Sequence, residues 1–133
     1  MRYMLDTNIC IYAIKKRPEK VLERLQKVKA QDVCISSVTY AELMHGVYKS
    51  RAVERNLLAL SLLLSNIEIM KFDSDAADEY GRIRAALEKN GTPIGPLDTM
   101  IAGHAMSLGC TLVTSSTKEF ARIKGLKTAN WTE

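Results

Sequence analysis

Several chemistries are excluded by what this chain lacks. It has only three cysteines, at positions 10, 34 and 110. The count is odd and no two have the spacing of a metal knuckle or a dithiol redox pair, which removes zinc modules and disulfide scaffolds. Buried, inert thiols in a reducing compartment are expected instead. The seven glycines include no strand–GxGxxG–helix arrangement, so no glycine-rich phosphate loop is present. The longest apolar run, Leu57 to Leu64, is broken by Ser61 and is far too short to span a bilayer. Residues Met1 to Ile14 hold one arginine, an early Asp6 and no small-residue cleavage site, so a signal peptide is not expected. No repeat, low-complexity stretch or linker interrupts the 133 residues. A single cytoplasmic domain spanning 1–133, with no membrane partner, is the expectation.

What is present is ordinary globular material, 47% apolar and 26% charged, enough for one compact core. The formal charge is +4, from 19 basic and 15 acidic residues. That excess permits a polyanionic partner without pointing to one.

Short apolar runs alternate with helical patterns. Tyr3–Leu5 reads as a buried strand, and Asp6 or Thr7 is suited to cap a helix to about Lys15. Pro18 opens a second helix, roughly Glu19 to Ala30. Val33–Ile35 is the next strand, followed by a helix from Ser37 to about Tyr48. The leucine-rich Arg51–Leu64 reads as a helix buried on more than one side. Ile67–Met70 is a third strand, and Ser74 caps an amphipathic helix that Asn90-Gly91 stops. Pro96 starts a helix through about Leu108, Thr111–Thr114 is a fourth strand, a short helix begins near Thr117, and the tail past Gly125 can add an edge strand. The pattern predicts an α/β fold with a mainly parallel sheet of four to five strands flanked by helices.

Direction then brings distant residues together. In a βαβ unit the crossover helix starts at the edge where the strands end. Asp6 follows the first strand, Glu42 lies in the first turns of the helix after the second, and Asp98 sits in the first turn of the helix feeding the fourth. Ser116 and Glu119 follow that fourth strand. All belong to one edge, where open α/β sheets bind ligands. Each acid also has a plain structural explanation. Asp6 can cap its helix, Thr39 with Glu42 and Ser116 with Glu119 fit capping boxes, and Asp98 suits a helix N-terminus.

Energy separates the two views. Two carboxylates about 4 Å apart repel by roughly 1 kcal/mol in water and about 4 kcal/mol at an effective dielectric of 20. Three acids in one cleft therefore call for a cation or a proton. Oxygen-only ligands favour Mg²⁺, with Mn²⁺ a substitute, over zinc.

The segments MLDTNICIY at 4–12, SSVTYAEL at 36–43, IRAALEKNGTPIGPLDTMIAGHA at 83–105 and LVTSSTKEF at 112–120 resemble PIN-domain ribonucleases. More narrowly they are similar to the VapC toxins of bacterial toxin–antitoxin pairs, in matching order over essentially the whole chain. The resemblance implies that Asp6, Glu42 and Asp98 bind the divalent metal, while Thr7 and Asn8 form the polar surround. It puts Ser116 at a fourth position usually held by Asp or Asn. It further implies a VapB-like antitoxin that covers apolar grooves and obstructs the site, a homodimer, and an RNA substrate. The most similar group includes nucleases of the initiator-tRNA anticodon loop. Ribosomal RNA, mRNA or DNA as substrate, and a non-catalytic nucleic-acid-binding domain, stay open at this point.

Single features are left structural. Glu42-x-x-His45 is half of a di-iron motif that needs a second copy, His104 is expected in the core, and Arg82 and Arg84 suit either solvent or RNA phosphate.

Overall fold

In the computed structural model, which describes residues 2–133, the expected alternation is realised. The elements are β1 (Tyr3–Leu5), α1 (Thr7–Lys15), α2 (Glu19–Lys27), β2 (Val33–Ser36), α3 (Ser37–Tyr48), α4 (Val53–Leu64), β3 (Glu68–Met70), α5 (Ser74–Lys89), α6 (Pro96–Leu108), β4 (Thr111–Val113), α7 (Thr117–Phe120) and β5 (Thr128–Ala129). The strands form one sheet in the order β3-β2-β1-β4-β5, and every pairing is parallel. Chain progression moves outward on one side through β2 and β3, then on the other through β4 and β5. The switch point is between β1 and β4, and ligand sites in such sheets lie at the carboxyl ends of the strands there.

Both sheet faces are covered, and the strands alternate accordingly. Met4, Cys34 and Leu112 enter a core with Ile83, Leu87, Ile101 and Phe120. Leu5, Val33, Ile35 and Val113 enter the opposite core with Ile9, Val21, Leu43, Leu60 and Trp131. Burial on both faces explains why these strands are short, continuous apolar runs. The three cysteines are free and buried, and burial pushes the Cys10 thiol up to about 12. That is the inert state expected of Cys10; Cys34 and Cys110 instead share a hydrogen bond that holds the Cys34 thiol up and brings the Cys110 thiol down.

Three expectations change. The second helix ends at Lys27 rather than near Ala30, because Val28 is extended (φ −99°, ψ 142°) and its β-branched side chain packs on the core instead. The helix around residue 74 is capped by Asp73, whose carboxylate accepts from the Ala76 N–H at 3.0 Å, and Ser74 is its first residue. The leucines of α4 are not buried all round. Only Leu60 is, whereas Leu58 and Leu62 are 61% and 67% exposed. The helix lies on the outside of the domain and spends one stripe on the core, leaving an apolar outer surface.

Helices α5 and α6 pack at Gly103. A Cβ added there would stand 2.8 Å from the Tyr80 nitrogen, so only glycine permits this approach. No helix among the described residues is long and apolar enough to cross a membrane.

Candidate metal-dependent active site

The site is built from the ends of β1 and β4. The Asp6 N–H donates to the Val113 carbonyl at 2.8 Å, so the first residue beyond β1 is still tethered to the sheet. Its carboxylate is only 4% exposed and is held at both oxygens. The Thr7 N–H donates to Oδ1 at 2.8 Å, and the Thr114 hydroxyl donates to Oδ2 at 2.7 Å. Asp6 is thus the N-cap of α1, and its second oxygen is fixed from across the sheet. Thr114 is held in turn by accepting from the Ser116 N–H at 3.0 Å.

Glu42 lies in the second turn of α3, since that helix starts at Ser37 behind a Ser36 cap. The capping box of Thr39 with Glu42 is therefore not made. Instead the Thr7 hydroxyl donates to Glu42 Oε1 at 2.7 Å, joining the first acid's neighbour to the second acid. Asp98 stands in the first turn of α6, with Pro96 at the helix start and Gly95 as the cap residue. Buried His104, also on α6, pairs its Nδ1 with the Ser36 hydroxyl at 2.8 Å, and Ser36 Oγ accepts from the Val38 N–H. The helix that bears Asp98 is thereby locked to the start of the helix that bears Glu42. His104 is a core residue, as expected.

The remaining polar positions converge as well. Asn8 Nδ2 donates to Ser116 Oγ at 3.3 Å. Ser116 makes no side-chain cap to α7, so the second capping box also fails. The sequence offers Glu119 both as half of that box and as one of the acids of this edge. Its charge acts on both Asp6 and Asp98, which makes it a fourth acid of the cluster. The sequence signal was its place directly after the fourth strand.

The electrostatics are those of crowded anions. Asp98 is pushed up to about 6, by burial first and then by the charges of Asp6, Glu42 and Glu119. Asp6 is also raised. Burial is the largest cause, the Thr114 and Thr7 hydrogen bonds oppose it, and Glu42 and Glu119 add to it. A divalent cation is the natural relief. Among the described residues no three His, Cys, Asp or Glu side chains stand close enough to cage an ion by themselves. An ion bound here would therefore take one or two of these carboxylates directly and complete its shell with water.

Two surfaces adjoin Glu42. A cavity of about 260 Å³ between α1, α3 and α4 is lined by Ile11, Ile14, Lys15, Leu43, Val47 and Leu60, among others. A second, of about 380 Å³ between α3 and α6, is bordered by Val38, Ala41, His45, Leu97 and Met100.

Comparison with known proteins matches residues 3–126 to the PIN domain model. The tRNA(fMet)-specific endonuclease VapC of Shigella flexneri is 47% identical over 131 residues, 98% of each chain. Ribonuclease VapC2 of Rickettsia felis is 45% identical over 132 residues, again 98% of each. Among solved structures, DNA-bound VapBC from Salmonella typhimurium aligns with a TM-score of 0.93 at 46% identity, covering 98% of both chains.

Proposed function

The chain belongs to the PIN-domain family, among the VapC ribonucleases, and on that premise we propose that it is a toxin endoribonuclease working through Asp6, Glu42, Asp98 and Glu119. Mg²⁺ is the ion, and the anticodon loop of initiator tRNA is the substrate. The observation that carries this is the gathering of carboxylates at the switch point of the sheet, where burial first, and then the charges of Asp6, Glu42 and Glu119, push Asp98 up to about 6.

A divalent cation, when bound, supplies positive charge against the phosphodiester and makes water a stronger acid. The residues do the rest. Asp6, immobilised at both oxygens, and Asp98, which accepts no hydrogen bond and so keeps free lone pairs, are the direct ligands. Glu42, aimed by Thr7, binds directly or through water. Thr7, Asn8 and Ser116 form the polar rim that orients ligands and the scissile phosphate. Ser116 stands where the family's pattern has an acid or amide, and Glu119 brings the missing charge. No histidine converges on the site, which suits cation-activated water over a side-chain base. Water adds to phosphorus, the bond to the 3′ oxygen breaks, and 5′-phosphate and 3′-hydroxyl ends result.

The VapBC assemblies support a VapB-like antitoxin as partner. The apolar cavity beside Glu42 and the exposed Leu58 and Leu62 of α4 suit its apolar segments, which would sit against the active site. The second cavity, with Leu97 46% exposed, suits a homodimer. The name of the Shigella relative supports the tRNA reading. Mapping cut ends in total RNA after brief expression tests it. One cut in initiator tRNA is expected, and broad mRNA decay would overturn it.

A further inference from the structure

Basic residues occur throughout the sequence, but their excess does not. Residues 15–32 hold seven of the 19 basic and three of the 15 acidic residues, leaving twelve of each elsewhere. The whole formal charge of +4 therefore resides in the end of α1, in α2 and in the turn that follows. All seven cations are exposed. The three ion pairs among the described residues all lie elsewhere: Arg2 with Glu68, Arg82 with Asp78 and Arg84 with Glu88. Arg24 gives one donor to the main-chain oxygen of Glu133 and keeps the others.

The arrangement is directional. Lys20, Arg24 and Lys27 follow i, i+4, i+7 spacing and share one face of α2, outside the face that buries Val21. Lys15, Lys16 and Arg17 stand at the end of α1 and in the turn that leads into α2. Lys15 and Glu42 line the same cavity, so the basic end of α1 adjoins one of the acids. α1 has nine residues, which puts the start of the stripe about 13 Å from Asp6, a span of a few nucleotides.

A net-basic stripe beginning near these acids has a clear electrostatic use, with Glu23 set among its cations. An acidic centre repels the phosphates it must cut, and cations at a distance offset that repulsion and raise the rate of encounter. We infer that the Lys20–Arg24–Lys27 face of α2, continued by Lys15–Arg17, is the surface that holds the phosphate backbone of the RNA outside the active site. This rests on the ribonuclease reading above. It also reassigns Arg82 and Arg84, which are engaged with acids of their own helix, away from RNA.

The test uses full-length Asp98→Asn protein, to prevent cleavage, and fluorescently labelled bulk tRNA. Binding anisotropy is measured across a salt series, with and without Lys20→Gln, Arg24→Gln and Lys27→Gln together. Loss of three phosphate contacts should flatten the slope of log affinity against log salt by about 2, at roughly 0.7–0.9 per contact, and weaken binding about tenfold or more near physiological salt. Arg82→Gln with Arg84→Gln removes charge elsewhere and should change affinity less than about twofold. Lys20→Arg with Lys27→Arg should bind like the parent. If the triple variant misfolds in a melting experiment, each single variant should still flatten the slope by about 1. Unchanged slopes, equal losses in the Arg82/Arg84 control, or a loss confined to antitoxin affinity would overturn the inference. Cleavage of RNA by the unmodified protein is a separate measurement, so a failure of the ribonuclease reading is told apart from a failure of the stripe.

Discussion

The Thr114 hydroxyl donates to Asp6 Oδ2 at 2.7 Å across 108 residues of sequence, and both residues are buried. One hydrogen bond thus aligns the deepest acid of the site with the neighbouring strand. Thr114→Val keeps the shape but leaves the carboxylate oxygen and the Ser116 N–H without a partner. A loss of about 1–3 kcal/mol in stability is expected, and a 10–100-fold weakening of Mg²⁺ affinity, the usual consequence of removing a ligand's own support. Thr114→Ser should retain both. Magnesium titration of the melting temperature reads the two effects together.

Asp98 carries a cost that the ion removes. Its acid is pushed up to about 6 in the folded protein, against about 3.9 in an unfolded chain. The folded state therefore holds this proton more tightly, and stability attributable to Asp98 falls as pH rises from about 4 through 6. In EDTA at pH 8, Asp98→Asn should melt higher than the parent, and the difference should vanish near pH 4. Added Mg²⁺ should reverse the order, since the variant loses a ligand. Equal melting temperatures in EDTA at both pH values would contradict the crowding of carboxylates.

His104 titrates in the opposite sense. Burial holds its pKa below the usual 6.5, although Asp73 and the Lys71 carbonyl oppose the shift. The neutral ring is the folded form. Its contribution is full above about pH 6.5 and is lost as pH falls from there through the lowered folded-state value. Urea unfolding of the parent at pH 7 and pH 5 should show this loss, and His104→Gln, less stable at pH 7, should show a smaller change over the same interval.

The crossing of α5 and α6 gives a purely steric prediction. Gly103→Ala drives a methyl against the Tyr80 main chain, with contacts of 2.8 and 3.0 Å. Neither helix backbone yields cheaply, so about 1–3 kcal/mol of stability should be lost. Activity should fall as well, because α6 carries Asp98. Gly81→Ala meets nothing within 4 Å and should stabilise α5 by about 0.5–1 kcal/mol. Thermal melting of the two variants separates packing from helix propensity.

The sequence revealed most where local pattern and chain direction agree. Parallel crossovers require α1, α3 and α6 to start at one sheet edge, which is enough to assign Asp6, Glu42 and Asp98 to that edge. The failures involve backbone geometry that composition does not encode. Ser116-x-x-Glu119 has capping-box spacing, yet Ser116 sits at φ −91°, ψ 44°, outside the extended region a capping side chain uses. Glu119 instead adds its charge to those that raise Asp6 and Asp98. Thr39-x-x-Glu42 misleads in the same way, because Ser36 caps α3 three residues earlier. The leucines of α4 have the composition of a core helix, and only the position of the helix outside the domain shows which of them face outward.

The bond from the Asp6 N–H to the Val113 carbonyl makes the reactive centre a continuation of the sheet ladder. Closing the β1–β4 edge of the sheet and placing the Asp6 carboxylate are then a single event. Whatever loosens that edge of the sheet is expected to misplace the carboxylate with it.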